Sequence, residues 1–574
     1  MAFFKKIKLH SFFAALLGGF LPIASLFFIE FLQSNITIRT WTSALLNLAL
    51  IGGIYLLLFA LCGPRIGGWI GLPLFFIIGI ANHYVIAFRG TTLLPWDIAA
   101  AKTAMNVIGN FTFSVKKELL LSLAGAAVLM VAIRKVMPKK PRNRRLFSAV
   151  SLAAAAGLLA FFAIGLARFP FTVDHWNQNH AAKENGYLLN FAINLKALRP
   201  KMPEGYSSEK AQGLLAEYQD EQEAGERPNI IVIMNEAFAD LPMKEKNLSE
   251  DPLSFFHSLR QQENTVSGKL ITPVFGGGTC NTEYEFLTSH VCEMLRTGSY
   301  PMQQLVNDES PSIASGLKDL GYKTIGIHPF LGNGWNRNRA YPLLGFDQFL
   351  TIEDFDENAE RMRDYITDRA CYQKISDLLK ETKEPLFAFA VTMQNHGGYT
   401  ENPDSVPDTL SFDQQEQYPQ TKMYLELLKE SDQAIQELIA ALEKQERKTI
   451  LLFFGDHQPS LGQEYTALFP KAAQSGYEGA EEKYGVPFFL WANFDLKEEH
   501  GLILSPNHLA PYLLEQAHLP LSPYQQFVGE LRGEFPVISP IFCQNKEGER
   551  FPLFSEGNPQ ISDYHILQYD QVFD

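Results

Sequence analysis

Ile450-Leu451-Leu452-Phe453-Phe454 runs without a polar residue into Gly455-Asp456-His457-Gln458-Pro459. Five apolar residues in a row, ended by turn formers, read as a strand buried on both faces, the habit of a parallel sheet. Three further runs share the pattern: Ile230–Met234 before Asn235-Glu236, Thr324–Ile327 before His328, and Leu386–Val391 before Gln394-Asn395-His396. Between them, Ile366–Leu379 and Lys422–Leu442 repeat apolar residues at three- and four-residue intervals, as helices that cover a sheet do. The expectation is an α/β domain with a largely parallel central sheet, whose ligands bind beyond the carboxyl ends of the strands.

Those ends carry the chemistry. Glu236, Asp456 and His457 offer two carboxylates and an imidazole. Phe275-Gly276-Gly277-Gly278-Thr279 adds a hydroxyl on a glycine turn at the mouth of a helix, where free N–H groups attract an anion. Together Glu236, Thr279, Asp456 and His457 make a mixed O and N donor set for one divalent cation, Mn²⁺, Mg²⁺ or Zn²⁺. A cation beside Thr279 would stabilise its alkoxide and make it a nucleophile toward a phosphate ester. The leaving oxygen needs a proton, for which His396 is the candidate acid. His328 and Trp335-Asn336-Arg337 are placed to hold the nonbridging oxygens, with Arg339 as an alternative to Arg337. Cys280 offers a thiol next to Thr279, but adjacent helical side chains diverge. Asp364 and Asp368 read as acids at a helix start, and His257 and His290 as ordinary hydrogen-bonding residues.

Charge divides the chain. Of 49 Lys and Arg, 17 lie up to Arg168, and of 63 Asp and Glu only 3 do, so the balance is +14 before that point and −28 after it. An acidic second region argues against nucleic acid as a partner. The first region holds five apolar runs, at 11–32, 42–62, 67–88, 119–137 and 147–167, each long enough to span a bilayer. The basic residues Lys5, Lys6, Lys8, Arg65 and the cluster Arg134–Arg145 fall on one side, which the positive-inside tendency makes the cytoplasm. Everything after the fifth span is then extracellular. The expected layout is a five-span membrane domain over 1–168, a connector over 169–228 and a catalytic domain over 229–574. Trp96, in the loop between spans three and four, suits a short interfacial helix, and His83 an inter-span hydrogen bond.

Asn235-Glu236, Gly276-Gly277-Gly278-Thr279, Trp335-Asn336-Arg337, Gln394-Asn395-His396 and Gly455-Asp456-His457-Gln458-Pro459, behind five spans, resemble the lipoteichoic acid synthase family of the sulfatase and alkaline-phosphatase-like superfamily. The resemblance implies a bacterial plasma-membrane enzyme with an extracellular domain of that fold. It implies a Mn²⁺-type ion on Glu236, Thr279, Asp456 and His457, and a glycerolphosphate headgroup contacted by His328, Trp335, Arg337 and His396. It also implies a reaction: Thr279 takes glycerolphosphate from phosphatidylglycerol, releases diacylglycerol, and passes the group to a glycolipid or a polyglycerolphosphate chain. Thr279-Cys280-Asn281 lacks the Cys or Ser, Pro and Arg pattern of true sulfatases. Phosphoethanolamine transfer and non-catalytic polymer binding are the alternatives.

Overall fold

A computed structural model describes the chain apart from residues 1, 36–39, 90–91, 96, 98–115, 170, 172–177, 197–201, 219–224, 244–245, 261, 297, 307, 333 and 556. The helix expected around Trp96 therefore lies outside the described residues. The chain forms two compact units, Met1–Arg199 and Pro200–Asp574.

In the first unit, five helices are long and apolar enough to cross a membrane: Phe12–Leu32, Trp41–Cys62, Pro64–Ala87, Lys117–Val136 and Arg144–Arg168. Large apolar side chains such as Ile77, Val128 and Phe20 stay exposed on them, the state of a helix whose outer face meets lipid rather than water. Several polar residues are turned inward and bonded across helices, since an unpaired one at that depth is costly. His83 Nδ1 lies 2.5 Å from Leu32 O, joining two helices as expected. Buried Glu30 accepts from Tyr187 N at 2.8 Å, and Asn47 Oδ1 accepts from Leu189 N at 3.0 Å. These bonds cap the start of helix Tyr187–Lys196 and dock it on the spans. The stretch read as a connector is thus divided, because its later helix Ser208–Leu215 belongs to the second unit, where Lys210 pairs with Asp563 at 2.9 Å.

The second unit is built on an eight-stranded sheet. Its strands are β1 Asn229–Asn235, β2 Thr265–Ile271, β3 Lys323–Ile327, β4 Gln348–Leu350, β7 Leu386–Val391, β8 Thr449–Gly455, β9 Gly485–Ala492 and β10 His500–Leu504. β5 Arg361–Met362 and β6 Tyr365–Ile366 form a separate hairpin. The order is β10-β2-β9-β8-β1-β7-β3-β4; β9 runs antiparallel to both of its neighbours and every other pairing is parallel. The sheet is therefore mixed, and four of its strands were not anticipated. Ser267, Gly268 and Lys269 interrupt β2 and Pro487 interrupts β9, which breaks the apolar run by which the others are read.

Alternate residues of the central strands feed two cores. Ile231, Ile233, Ala388, Leu451 and Phe453 face helices Asp368–Glu381 and Pro419–Leu442, while Ile230, Val232, Phe389, Leu452 and Phe454 face helix Thr279–Thr288 and its neighbours. This two-sided burial is why the strands read as unbroken apolar runs. Register then sets the site: Asn235 lies opposite Gly455, and Met234 opposite Val391. The residues that follow, Glu236, Asp456 and Thr392, leave one edge of the sheet side by side.

The loop after Glu236 is tied down by His257, whose Nε2 lies 3.1 Å from Asp240 and Nδ1 2.6 Å from Asp251. These carboxylates, Asp240 foremost, raise the imidazole from 6.5 to about 9. A raised folded-state pKa stabilises fully below the unfolded value and is lost as pH climbs through the folded one. The urea midpoint of the protein should therefore fall between pH 6.5 and 9. His257→Gln should flatten that fall, and an unchanged slope in the variant would show that the pairing contributes nothing.

Candidate active site

Four residues named from the sequence meet at the edge where β1 and β8 end. Thr279 Oγ1 lies 3.4 Å from Glu236 Oε2 and 3.5 Å from His457 Nε2. His457 Nε2 lies 3.2 Å from Asp456 Oδ2 and 3.7 Å from Glu236 Oε1. The ligand atoms of Glu236, Asp456 and His457 fall within 4.8 Å of one another, and all four residues are buried.

Local chemistry explains how they are held. Gly276, Gly277 and Gly278 have φ of 65°, 144° and 89°, left-handed angles that a side chain resists. They let the chain double back, with Gly276 N bonded to Gln458 O at 3.1 Å. Helix Thr279–Thr288 then begins with no side-chain cap; Asn281 N is taken by Gly278 O at 2.9 Å, while the N–H groups of Thr279 and Cys280 have no acceptor among the described residues. Thr282 Oγ1 donates to Asp456 O at 2.8 Å, and Ala237 N donates to Asp456 Oδ1 at 2.7 Å. Gly455 is required by space, because a Cβ there would meet Phe238 O at 2.0 Å. His457 Nδ1 lies 2.9 Å from Gln458 O; as a donor to that carbonyl it leaves the Nε2 lone pair turned to the cluster.

The cluster fits a cation. Asp456 Oδ2 is buried with no hydrogen-bond partner. Burial, and then the charge of Asp456, push the Glu236 carboxyl well above its usual range. Two carboxylates buried this close together are unfavourable, and a divalent ion between Glu236, Asp456, His457 and Thr279 would remove that conflict with a donor set that suits Mn²⁺, Mg²⁺ or Zn²⁺. Behind it, Asn235 Nδ2 donates to Asp368 Oδ2 at 2.7 Å, Ser431 Oγ donates to the same oxygen at 2.6 Å, and Asn395 Nδ2 donates to Asn235 Oδ1 at 3.0 Å. Asp368, read as a helix-start acid, is thus part of a buried framework that fixes the strand ends. Asp364 lies in the β5–β6 turn, outside the helix.

The remaining residues are placed differently from one another. Arg337 is 2% exposed and grips Glu283, Nη2 to Oε2 at 2.7 Å and Nε to both oxygens at 3.1 Å. Burial works against its charge, but Glu283 outweighs burial and keeps it protonated. Only Nη1 is left over, 3.3 Å from His328 Nε2. His328 Nδ1 lies 2.9 Å from Val391 O, and burial together with Arg337 lowers its proton affinity, so it is neutral. Trp335, half-buried at φ 54°, packs on Tyr300 with ring centroids 5.0 Å apart. His396 is half-buried in the loop after β7, and burial brings it down to about 4. Its Nδ1 faces Tyr365 OH and Gly397 O, each at 3.4 Å. Cys280 is fully buried and its thiol is pushed well up by burial, which removes it as a nucleophile. Cys292 is likewise a free thiol. Sequence reasoning missed Glu283, Arg363 and Tyr365. Glu283 had a signal, standing one helical turn beyond Thr279 on the same face.

Comparison with known proteins gives the family and the fold. The sulfatase family profile matches residues 228–519. A Rhizobium meliloti protein named for cyclic beta-1,2-glucan modification is 28% identical over 505 residues, 83% of this chain and 74% of that one. The lipoteichoic acid synthase of Staphylococcus saprophyticus is 24% identical over 246 residues, 41% of this chain and 36% of its own length. Among solved structures, the Streptococcus pyogenes phosphoglycerol transferase GacH in complex with sn-glycerol-1-phosphate superposes with a TM-score of 0.52 at 22% identity, covering 64% of this chain and 94% of that one.

Proposed function

This chain belongs to the sulfatase family, and from that premise we propose that it is a membrane-bound phosphoglycerol transferase. In this reading residues 1–168 span the plasma membrane of a bacterium, 169–228 connect, and 229–574 work outside the cell. The donor is phosphatidylglycerol and the acceptor a polyglycerolphosphate chain or a glycolipid. The observation that carries the reading is the Thr279 hydroxyl, 3.4 Å from Glu236 and 3.5 Å from His457 at an uncapped helix start.

A divalent cation held by Glu236, Asp456, His457 and Thr279, most simply Mn²⁺, would supply positive charge that favours the Thr279 alkoxide and a developing phosphorane. The chain's own residues do the rest. Thr279 Oγ attacks phosphorus, the free N–H groups of its helix receive the nonbridging oxygens, and the group rests on Thr279 as a phosphothreonine diester. His396 gives a proton to the departing diacylglycerol oxygen. A neutral ring is a poor acid, but a phosphate anion close to it raises its proton affinity. Arg337 Nη1, His328 and Trp335 are the side chains we assign to the glycerolphosphate itself.

Incubating the full-length protein with labelled phosphatidylglycerol or phosphatidylethanolamine vesicles, with Mn²⁺ or with EDTA, tests this. Diacylglycerol should come from phosphatidylglycerol alone and only with metal. Release from phosphatidylethanolamine instead would point to phosphoethanolamine transfer, and release from neither would sink both. One observation favours a second acceptor: the similarity to the glucan-modification protein runs along 83% of this chain. A glycan hydroxyl is therefore the rival acceptor, to be judged by whether a β-glucan or a glycerolphosphate oligomer becomes labelled.

A further inference from the structure

Arg363 and Asp364 close a two-residue turn between β5 and β6 with φ of 50° and 70°. Two successive left-handed residues in such a hairpin suit Asn-Gly; Arg and Asp persist there only because their surroundings hold them. Arg363 N donates to Ser405 Oγ at 2.9 Å, and Asn402 Nδ2 donates to Asp364 Oδ2 at 2.6 Å. The outcome is a guanidinium only 4% exposed, set between the rings of Tyr365 and Tyr399 at 5.8 and 5.3 Å. Among the described residues no carboxylate is in ion-pair contact with it, Glu401 acting on its charge only from a distance, and its Nε has no hydrogen-bond partner. Its two other nitrogens go to one place: Nη1 donates to His396 O at 2.9 Å and Nη2 to Gly397 O at 3.1 Å.

A buried cation with no carboxylate in contact is unfavourable, and so is a strained turn. Packing alone requires neither, since an apolar side chain would fill the same space. What the arrangement achieves is to fix the backbone of His396 and Gly397, while Tyr365, just past the same turn, brings its hydroxyl 3.4 Å from His396 Nδ1. Tyr399 OH adds a bond to Asn395 O at 2.7 Å, so the loop is held on both sides of the histidine.

We propose that Arg363 and Tyr365 are positioning residues for His396. Arg363 pins the two carbonyls, Gly397 O and Tyr365 Oη receive the Nδ1 proton, and Nε2 is thereby the nitrogen presented to substrate oxygens. This rests on the reading of His396 as the acid of a phosphoglycerol transfer. Thr279 enters deprotonated, its hydroxyl proton already lost to solvent, and His396 enters as the imidazolium, having taken a proton from solvent as the substrate phosphate arrives. In the first half-reaction the Thr279 Oγ–P bond forms as the bond from phosphorus to the diacylglycerol oxygen breaks, and Nε2 gives its proton to that oxygen. In the second, the acceptor hydroxyl loses its proton to Nε2 as its oxygen bonds phosphorus and the Thr279 Oγ–P bond breaks. The Nδ1 proton stays in place throughout, and His396 ends each cycle as it began.

Leaving-group dependence separates the parts. Single-turnover release of diacylglycerol from phosphatidylglycerol needs the acid. Release of p-nitrophenol from glycerophospho-p-nitrophenol does not, because nitrophenolate departs unprotonated. Tyr365→Phe and Arg363→Met, made in the full-length chain, should slow diacylglycerol release about tenfold or more, the scale of losing a group that orients another. Nitrophenol release should stay within about threefold of the parent, and His396→Ala should show the same split more strongly, about 10²-fold or beyond. Arg363→Lys, which keeps one donor, should recover part of the loss. If His396→Ala splits the two substrates and neither hairpin variant does, the positioning role is overturned while the acid survives. If His396→Ala slows both substrates equally, the acid reading itself falls and takes the hairpin's role with it. Tyr365→Phe deletes one oxygen and keeps the ring, so it decides the matter even where Arg363→Met fails to fold.

Discussion

Replacing Thr279 by Ala should stop diacylglycerol release, by on the order of 10⁴-fold or more, the scale on which the loss of a covalent nucleophile is felt. Fold and stability should be little affected. The Thr279 hydroxyl makes only long contacts, at 3.4 and 3.5 Å, and the helix start it occupies is set by the three glycines rather than by its side chain. Thr279→Ser should keep a substantial part of the rate, since the oxygen remains and only a methyl is lost. Mass spectrometry gives a second, independent measurement. In the parent protein, quenched after phosphatidylglycerol is added, the peptide carrying Thr279 should gain a phosphoglycerol group, and in Thr279→Ala it should not. An adduct on Cys280 would reverse the assignment, although burial of that thiol argues against it. An unmodified peptide in the parent protein, together with metal-dependent retention of polymer, would instead describe a binding protein.

The contrast between what the sequence disclosed and what it hid has a physical origin. Strands buried on both faces announce themselves as unbroken apolar runs, and the polar residue that ends each run in a parallel sheet stands at the ligand edge. Glu236, Asp456 and His457 were legible for that reason, and Thr279 because a triple glycine before a helix has few other uses. β2 and β9 were not, because Ser267, Gly268, Lys269 and Pro487 sit where packing tolerates them: Gly268 lies under Leu502 O, and Pro487 pairs with Lys269 within an antiparallel ladder. Arg363 was invisible for a different reason. Turn chemistry predicts Asn-Gly at such a position, so the residue type gives no hint that a tight turn exists, and only the backbone shows it. Arg337 stood out in the sequence as an anion holder. That most of its fork is spent inside the protein follows from Glu283, whose place one helical turn beyond Thr279 sets it on the same face but does not name Arg337 as its partner.

That pairing makes the second large effect one of stability. Arg337→Ala would leave Glu283 sealed among Tyr341 and the sheet core, and Glu283→Ala would leave the guanidinium sealed without its counter-charge. Breaking a buried pair from one side costs about 3–5 kcal/mol, because the partner stays buried and uncompensated. Removing both halves, as Glu283→Leu with Arg337→Met, should cost less than either single change, since the desolvated charges disappear together. The apparent unfolding midpoint of the full-length protein, at fixed detergent and protein concentration, should therefore drop by several degrees in each single variant and recover in the double. Singles that melt like the parent would mean that water reaches the pair. The double variant then separates two roles that the singles confound. If Arg337 Nη1 also holds the substrate phosphate, the double variant should be folded, should still gain stability from Mn²⁺, and should nevertheless show a raised KM for phosphatidylglycerol. If the KM is unchanged, the Glu283–Arg337 pair is a strut beneath Thr279's helix and the nonbridging oxygens rest on the helix N–H groups alone.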